Sequence, residues 1–206
     1  MNNNSPPNVC AGTVVHADKL VDWLTVGVKR RLIVLVGLPA SGKSTLSDRL
    51  QAKGVTYLNR DSIREKLYGD ASKLGDYREV SAVLYKQLEE GCDKDAIIVA
   101  DNTHTAVNQR QGTYERAFEK GYTDFVVLLM DVPLDECIRR NKLRKRQVPE
   151  DVIRNMHEML YSDGYPRLYE GKLVVLRPAS EGKDYFQVHR IRPGIRYVRP
   201  RKAQAK

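Results

Sequence analysis

The stretch GLPASGKST at 37–45 has the residue types and spacing that bind a chain of phosphates. Gly37, Gly42, Lys43 and Ser44 fit the pattern G-x-x-x-x-G-K-[ST]. The glycines let a loop wrap around an anion with its backbone N–H groups pointing inward, and a following helix N-terminus adds positive potential. In such a loop the lysine reaches the β- and γ-phosphates and the serine hydroxyl binds Mg²⁺. The stretch therefore predicts an ATP and Mg²⁺ site made by these residues: Gly37, Ser41, Gly42, Lys43, Ser44 and Thr45.

A carboxylate and a guanidinium follow the next apolar run, in LNRDSIR at 58–64. Asp61 and Arg64 are three residues apart, so a helix that begins here would carry both on one face. One interpretation is that Asp61 only caps the helix. The other is that Asp61 takes a proton from an acceptor hydroxyl while Arg64 holds a neighbouring phosphate of the acceptor. We favour the second, because a cap alone gives no role to Arg64.

A second candidate carboxylate, Asp101, ends the apolar run AIIVAD. This is a usual place for an acid that handles Mg²⁺ through water or orients a base, so Asp101 is predicted to be catalytic and to contribute to metal binding. The alternative is a cap for the next helix. His104, in the same polar loop, has the character of a solvated loop histidine.

The stretch RRNKLRKRQVP at 139–149 concentrates six positive charges within eight residues. Arg140 and Arg144 are four residues apart and would share a helical face. Such charges repel one another unless an anion is present, so we predict a lid whose Arg140 and Arg144 close on the triphosphate. A basic, solvated helix is the alternative.

Five apolar runs alternate with helical patterns, as a parallel sheet with crossover helices requires. The runs are RLIVLVG at 31–37, VTYL at 55–58, AIIVAD at 96–101, DFVVLLMD at 124–131 and KLVVL at 172–176. Helices are predicted over 44–53, 77–91, 105–120, 134–146 and 149–161, and a further short helix after His16. The predicted fold is α/β, a P-loop NTPase with a doubly wound parallel sheet of about five strands, helices on both faces and an arginine-bearing lid.

The 206 residues suit one domain with two tails. We assign 1–30 to an N-terminal extension, disordered over about 1–15, where Asn, Ser and Pro cluster. Residues 31–184 form the kinase-like domain and 185–206 a basic tail. No apolar run approaches a membrane span, no secretory signal is present, and the three cysteines form no CxxC pair. We therefore expect a reducing, cytoplasmic location, and no segment indicates an obligate protein partner.

The net charge of +9 indicates a polyanionic partner, and it is concentrated at the C-terminal end. Residues 188–206 contain seven arginines and lysines and no acid: Arg190, Arg192, Arg196, Arg199, Arg201, Lys202 and Lys206. Tyr197 lies among them, and Tyr185 and Phe186 lie just upstream. The segment is either a solvated, frayed terminus or an arm that tracks a nucleic-acid backbone and stacks on bases.

Five motifs together resemble a known family. GLPASGKST, LNRDSIR, VADNT, DVPLDECIRRNKLR and VPEDVIRNM occur in the order found in phage-type polynucleotide 5′-hydroxyl kinases of the adenylate-kinase-like P-loop group, across about 31–159. The resemblance implies transfer of the γ-phosphate of ATP to the 5′-hydroxyl of RNA or DNA. It also implies Lys43 and Ser44 as phosphate and metal contacts, Asp61 as general base and Arg64 as the acceptor-phosphate contact. Asp101 would be the second essential carboxylate, and Arg140 and Arg144 fall where the lid arginines lie. By analogy, the loop RPASEG at 177–182 would hold adenine.

The sequence lacks two motifs that many members of this family carry, and other functions are compatible with the same core. The DxDGT motif of the 3′-phosphatase found in many relatives is absent, as is the His-Asp pair of a phosphohydrolase, so kinase activity alone is expected. No NKxD guanine reader is present, which argues against a GTPase. Alternatives that keep the same core are kinases of small molecules, zeta-toxin-like kinases of sugar nucleotides, and an aminoacyl-tRNA kinase. A non-catalytic, ATP-dependent nucleic-acid-binding module is a further alternative, although it would have no use for Asp61 as a base.

Overall fold

Each apolar run of the sequence becomes a strand of one sheet in the computed structural model, which describes residues 9–194. The strands are β1 (Val14–His16), β2 (Arg31–Val36), β3 (Thr56–Leu58), β4 (Ile98–Asp101), β5 (Asp124–Met130), β6 (Lys172–Ala179) and β7 (Gly182–Arg192). The helices are α1 (Ala17–Thr25), α2 (Lys43–Ala52), α3 (Arg60–Tyr68), α4 (Tyr77–Asp93), α5 (Val107–Glu119), α6 (Leu134–Lys142) and α7 (Glu150–Ser162), and a 3₁₀ turn spans Leu168–Glu170.

The strand order is β1-β7-β6-β5-β2-β4-β3. Strands β3, β4, β2, β5 and β6 pair in parallel, and they are the five runs that the sequence predicts. The α/β fold with a mostly parallel sheet is confirmed. The sheet nevertheless has seven strands and not about five, because β7 and β1 add an antiparallel edge beside β6.

The two additional strands lie in segments that the sequence analysis gave to the tails. Residues 9–15, predicted to be disordered, instead bury Val9 and Val15, and β1 pairs with β7. Residues 185–192, predicted to be tail, belong to β7. Both predictions were wrong, because a mainly exposed strand such as β7 has no continuous apolar run in its sequence. Phe186 packs against the core, while the predicted arm beyond residue 194 lies outside the described residues.

Alternate residues of each central strand bury on opposite faces of the sheet. Leu32, Val34 and Val36 of β2 join a cluster with α4 and α5, whereas Ile33 and Leu35 join a cluster with α1 and α2. The helix predicted after His16 is α1, which packs on the second of these faces. The described part of the chain has no helix with both the length and the apolarity needed to cross a membrane.

A buried ion pair joins α5 to the 3₁₀ turn that precedes β6. Arg110 of α5 donates from Nε and Nη2 to the two carboxylate oxygens of Glu170, at 2.6 and 2.8 Å. Its Nη1 donates to the backbone oxygen of His104 at 2.6 Å. The two side chains are 0% and 1% exposed, so each needs the other to offset its loss of hydration.

We predict that Glu170→Ala lowers the free energy of unfolding by about 3 kcal/mol, because it leaves the Arg110 guanidinium buried without a counter-ion. Urea unfolding followed by circular dichroism measures this directly. Glu181→Ala, at an exposed position in the turn between β6 and β7, serves as the matched control and should change little. A Glu170→Ala protein as stable as the control would contradict this role for the pair.

Candidate active site

The phosphate-loop motif occupies the turn between β2 and α2, and its backbone follows the wrap that the glycines predict. Gly37 has φ +151° and Gly42 has φ +97°, both in the region that favours glycine. A Cβ on Gly37 would lie 2.9 Å from Ser41 Oγ and 3.0 Å from the backbone oxygen of Met130. Helix α2 begins at Lys43, so its N-terminal N–H groups point into the loop.

The Lys43 ammonium group lies inside this loop. Its Nζ donates to the backbone oxygens of Gly37 and Leu38, at 2.9 and 2.7 Å, and the residue is only 7% exposed. Burial lowers the pKa of Lys43 to about 8, partly opposed by the nearby charge of Asp101. A cation held in a loop of this shape is suited to contact phosphate oxygens.

Asp101, at the end of β4, lies beside the same loop. Its Oδ2 accepts from Ser47 Oγ of α2 at 2.7 Å and from the Tyr57 hydroxyl at 3.3 Å. Burial raises the pKa of Asp101, while hydrogen bonds from Ser47 and the charge of Lys43 oppose the rise. Asp101 does not cap α5, whose preceding residue is Ala106.

The oxygen atoms near the loop fit the Mg²⁺ that the motif predicts. Ser44, in the first turn of α2, contributes to lowering the pKa of Asp101, so its hydroxyl and that carboxylate are on the same side of the phosphate loop. Within residues 9–194 there is no cluster of three or more His, Cys, Asp or Glu side chains that could hold a metal. Mg²⁺ is commonly bound by one or two protein oxygens together with phosphates and water, and this donor set matches that mode.

Asp61 lies in the first turn of α3, two residues after the residue that caps the helix. That cap is Asn59, whose side-chain oxygen accepts from the backbone N–H of Ser62 at 2.8 Å. The Asp61 carboxylate instead pairs with two arginines. Its Oδ1 lies 2.6 Å from Nη1 of Arg64, and its Oδ2 lies 3.1 Å from Nη1 of Arg146. The interpretation of Asp61 as only an N-cap is therefore wrong.

The arginine-bearing segment is part helix and part loop. Helix α6 ends at Lys142 and not near residue 146, because the Asn141 side chain makes two hydrogen bonds with the backbone of Val148, at 2.8 and 3.0 Å, that close a turn. Arg140 stays on the helix, with its Nε 2.6 Å from Glu136 Oε1. Arg144 lies beyond the helix end, so the prediction that Arg140 and Arg144 share a helical face is wrong.

The loop at 143–149 carries two arginines that act on the site. The charge of Arg144 contributes to lowering the pKa of Lys43, although burial is the main cause. Arg146 reaches Asp61 across 85 residues of sequence. Arg146 was predicted only as one of the charges around Arg140 and Arg144. The spacing of residues along the sequence could not indicate its contact with Asp61, because that contact depends on how the loop folds.

Polar residues after β4 join the strand ends to α3. The side-chain nitrogen of Asn59 donates to the backbone oxygen of Asp101, at 2.5 Å. The Asn102 side-chain oxygen accepts from the backbone N–H of Arg60 at 3.1 Å. The start of α3, and with it Asp61, is therefore fixed relative to Asp101.

The same loop also holds the phosphate loop and β2. The backbone N–H of Gly37 donates to the oxygen of Thr103 at 3.1 Å, and His104 Nδ1 lies 2.9 Å from the oxygen of Leu35. Burial lowers the pKa of His104 to about 3. His104 is therefore a buried structural residue and not the solvated loop histidine that the sequence indicated.

A cleft of about 700 Å³ opens where β5 and β6 end. Asp131 lies in its wall, with its Oδ2 2.8 Å from Nε of Arg177, and its Oδ1 accepts from the Tyr161 hydroxyl. Arg140 and the His157 ring also line the cleft. Arg177 and Pro178 come from the RPASEG stretch to which the sequence analysis assigned adenine by analogy.

A family model described as an AAA domain matches residues 32–161, which include the phosphate loop, Asp61, Asp101 and the arginine-bearing segment. The chain belongs to this family.

Two proteins with sequences similar to this chain are kinases by name. The chain is 30% identical over 146 residues to the "Putative bifunctional polynucleotide kinase/RNA ligase" of Autographa californica nuclear polyhedrosis virus, covering 64% of this chain and 21% of the relative. It is 29% identical over 140 residues to the L-seryl-tRNA(Sec) kinase of Methanococcus maripaludis, covering 65% of this chain and 53% of the relative. The chain thus spans about a fifth and about half of the lengths of these relatives.

A solved structure supports the fold of the AAA domain protein. A chain in the structure of the Pnkp1/Rnl/Hen1 RNA repair complex aligns with a TM-score of 0.57 and 19% identity, over 66% of this chain and 46% of that chain. At this identity the likeness concerns the fold. Taken with the family match, it agrees with the parallel sheet and the helices on both of its faces.

We predict that Gly37→Ala weakens binding of ATP with Mg²⁺ at least about tenfold, because the added Cβ meets Ser41 and Met130 at a strained φ and must shift the loop. Isothermal titration calorimetry measures the affinity. Gly54→Ala is the matched control, since Gly54 has φ +82° and a Cβ there meets nothing within 4 Å. It should lose some stability and keep the affinity. Equal ATP affinity in the two variants would argue against a phosphate-binding role for the loop.

Proposed function

We propose that the protein is an ATP- and Mg²⁺-dependent kinase that transfers the γ-phosphate to the 5′-hydroxyl of RNA or DNA ends. The observation that carries the proposal is the Asp61 carboxylate, paired with Arg64 and Arg146 and fastened through the loop after β4 to the phosphate loop. A protein that only binds nucleotide has no need of such an acid. The names of the viral and archaeal relatives support phosphate transfer to an acceptor.

In the proposed reaction the triphosphate lies along the phosphate loop. Lys43 contacts the β- and γ-phosphates, with Gly37, Ser41, Gly42 and Thr45 forming the loop around them. Ser44 and Asp101 would hold Mg²⁺, which neutralises charge on the phosphates when bound. The base of ATP would occupy the cleft between Arg140 and Arg177.

The acceptor hydroxyl would lie at Asp61. The carboxylate accepts the hydroxyl proton, the acceptor oxygen forms a bond to the γ-phosphorus, and the bond from that phosphorus to the β,γ-bridging oxygen breaks, releasing ADP. Arg140 and Arg144 stabilise the charge on the transferring group. Most of the acceleration would come from positioning and charge stabilisation.

Both oxygens of Asp61 carry an arginine contact, so an incoming acceptor shares the carboxylate with the arginines or displaces one of them. The contact with Arg146 is the longer, at 3.1 Å, and Arg146 is 49% exposed whereas Arg64 is 17% exposed. We infer that Arg146 gives way while Arg64 remains. An acceptor with a phosphate next to its hydroxyl would then find a fixed guanidinium beside the base.

A kinase of aminoacylated tRNA is the second candidate, favoured by the L-seryl-tRNA(Sec) kinase relative, of which this chain covers 53%. Its acceptor would also be a hydroxyl carried by a nucleic acid. Labelled γ-phosphate transfer to 5′-hydroxyl RNA, 5′-hydroxyl DNA and seryl-tRNA, run side by side, separates the two. Label on seryl-tRNA alone would replace the polynucleotide proposal.

We predict that Asp61→Asn lowers kcat for 5′-hydroxyl acceptors by at least about 100-fold, because an amide cannot accept the proton. Affinity for ATP should not change, as Asp61 contacts the acceptor side. Asp70→Asn, at an exposed acid just beyond the other end of α3, is the matched control. Full activity of Asp61→Asn would rule out Asp61 as the base.

We predict that Arg64→Ala raises KM for acceptors with a phosphate on the 3′ side of the first nucleotide at least about tenfold, the scale of one charge-assisted hydrogen bond. Nucleoside 3′-phosphates and unphosphorylated nucleosides are the paired acceptors. Because Arg64 also pairs with Asp61, kcat should fall for both, but the KM effect should appear only where the phosphate is present. An equal KM effect on both acceptors would refute the phosphate contact.

A further inference from the structure

An exposed aromatic ring packs against Arg60, the residue that precedes the proposed base. Tyr77 is the first residue of α4 and is 68% exposed, although large aromatic side chains usually bury most of their surface. The guanidinium carbon of Arg60 lies 4.9 Å from the centre of its ring. Arg60 directly precedes Asp61, so the ring contacts the first turn of the helix that carries the proposed base.

The arginine under this ring is held in place. Arg60 Nη1 donates to Ser81 Oγ of α4 at 2.9 Å, and its backbone N–H donates to Asn102 at 3.1 Å. The guanidinium on the first turn of α3 and the ring on the first turn of α4 are therefore in contact at fixed positions. A cation against an exposed ring is a weak interaction, and it does not explain why so much of the ring stays in water.

The surface around the ring carries further apolar and basic groups. Leu74 is 75% exposed, and Lys73 Nζ lies 5.4 Å from the centre of the Tyr68 ring. The nearby acids are engaged within the surface itself. Asp70 accepts from Ser72, Asp76 caps α4 at the backbone N–H of Arg78, and Glu79 accepts from the Tyr68 hydroxyl.

We propose that Tyr77 and Arg60 form a stacking platform for one of the first three bases of a single-stranded acceptor. Every nucleobase has a π-face, and aromatic rings and guanidinium planes are the groups on which unpaired bases stack. The platform rests on the proposed function and extends it, because it requires an acceptor end whose bases are unpaired. An acceptor without a base near its hydroxyl gains nothing from it.

Steady-state kinetics test the platform with oligonucleotide acceptors. Tyr77→Ala should raise KM for a 5′-hydroxyl oligonucleotide about 5- to 100-fold, the scale of losing one stacked base, with kcat unchanged. Tyr77→Phe keeps the ring and should restore KM. An acceptor whose first three nucleotides are abasic should show the same KM with wild type and Tyr77→Ala. Leu168→Ala, at a 50% exposed apolar residue of the 3₁₀ turn before β6, is the matched control.

A binding measurement gives a second readout that does not need turnover. 2-Aminopurine, placed in turn at the first three positions of the acceptor, loses fluorescence when it stacks. Quenching at one position with wild type and Tyr77→Phe, and its loss with Tyr77→Ala, supports the platform. Transfer to 5′-hydroxyl ends with equal KM and equal quenching in all three proteins overturns the platform and leaves the proposed function standing. Transfer to no polynucleotide by wild type overturns both.

Discussion

The short polar loop after β4, residues 101–105, is the constraint on which the rest of the site depends. Its first residue reaches α2 through Ser47, and the next fixes the N-terminus of α3. Its third residue accepts from the first glycine of the phosphate loop. Because β3, β4 and β2 are neighbours in the sheet, one loop can touch both adjoining turns. The phosphate loop and the start of α3 are therefore held at a fixed separation by side-chain and backbone hydrogen bonds, which would suit the proposed transfer, whose barrier is lowered mainly by positioning.

Buried polar side chains hold this loop in place. Each of them has a hydrogen-bond partner, as a polar group away from water requires. His104 has φ +51°, an unusual conformation for a residue other than glycine, and its ring and its backbone oxygen are both bonded to other elements. With a pKa of about 3 it stays neutral near pH 7, so it can hydrogen-bond to the β2 backbone without bringing a charge into the interior. The Arg110–Glu170 pair supplies the remaining donor. An ion pair in this position fixes a geometry, which a hydrophobic pair of the same volume could not do.

The sequence predicts well those features that depend on short stretches of chain. The five parallel strands, the turn at 37–45 and the approach of Asp101 to it follow from apolar runs, glycine spacing and the rule that parallel strands end at one edge. Features decided between distant segments could not be predicted. Strand β7 is mainly exposed and has no continuous apolar run that would predict its pairing with β6. The end of α6 is set by the hydrogen bond from the Asn141 side chain to Val148. The contacts of Arg146 with Asp61 and of Arg60 with Tyr77 exist only once the helices are packed.

The arginine-bearing loop connects the two halves of the proposed reaction. The charge of Arg144 contributes to lowering the pKa of Lys43, on the proposed nucleotide side. Arg146, two residues later, contacts Asp61 on the proposed acceptor side. A short loop cannot move one of these charges toward a triphosphate without moving the other relative to the base. In the proposed reaction, a shift of the loop on nucleotide binding would therefore alter the Asp61–Arg146 contact as well. The spacing of two arginines on one loop would in this way couple the nucleotide side of the proposed site to its acceptor side.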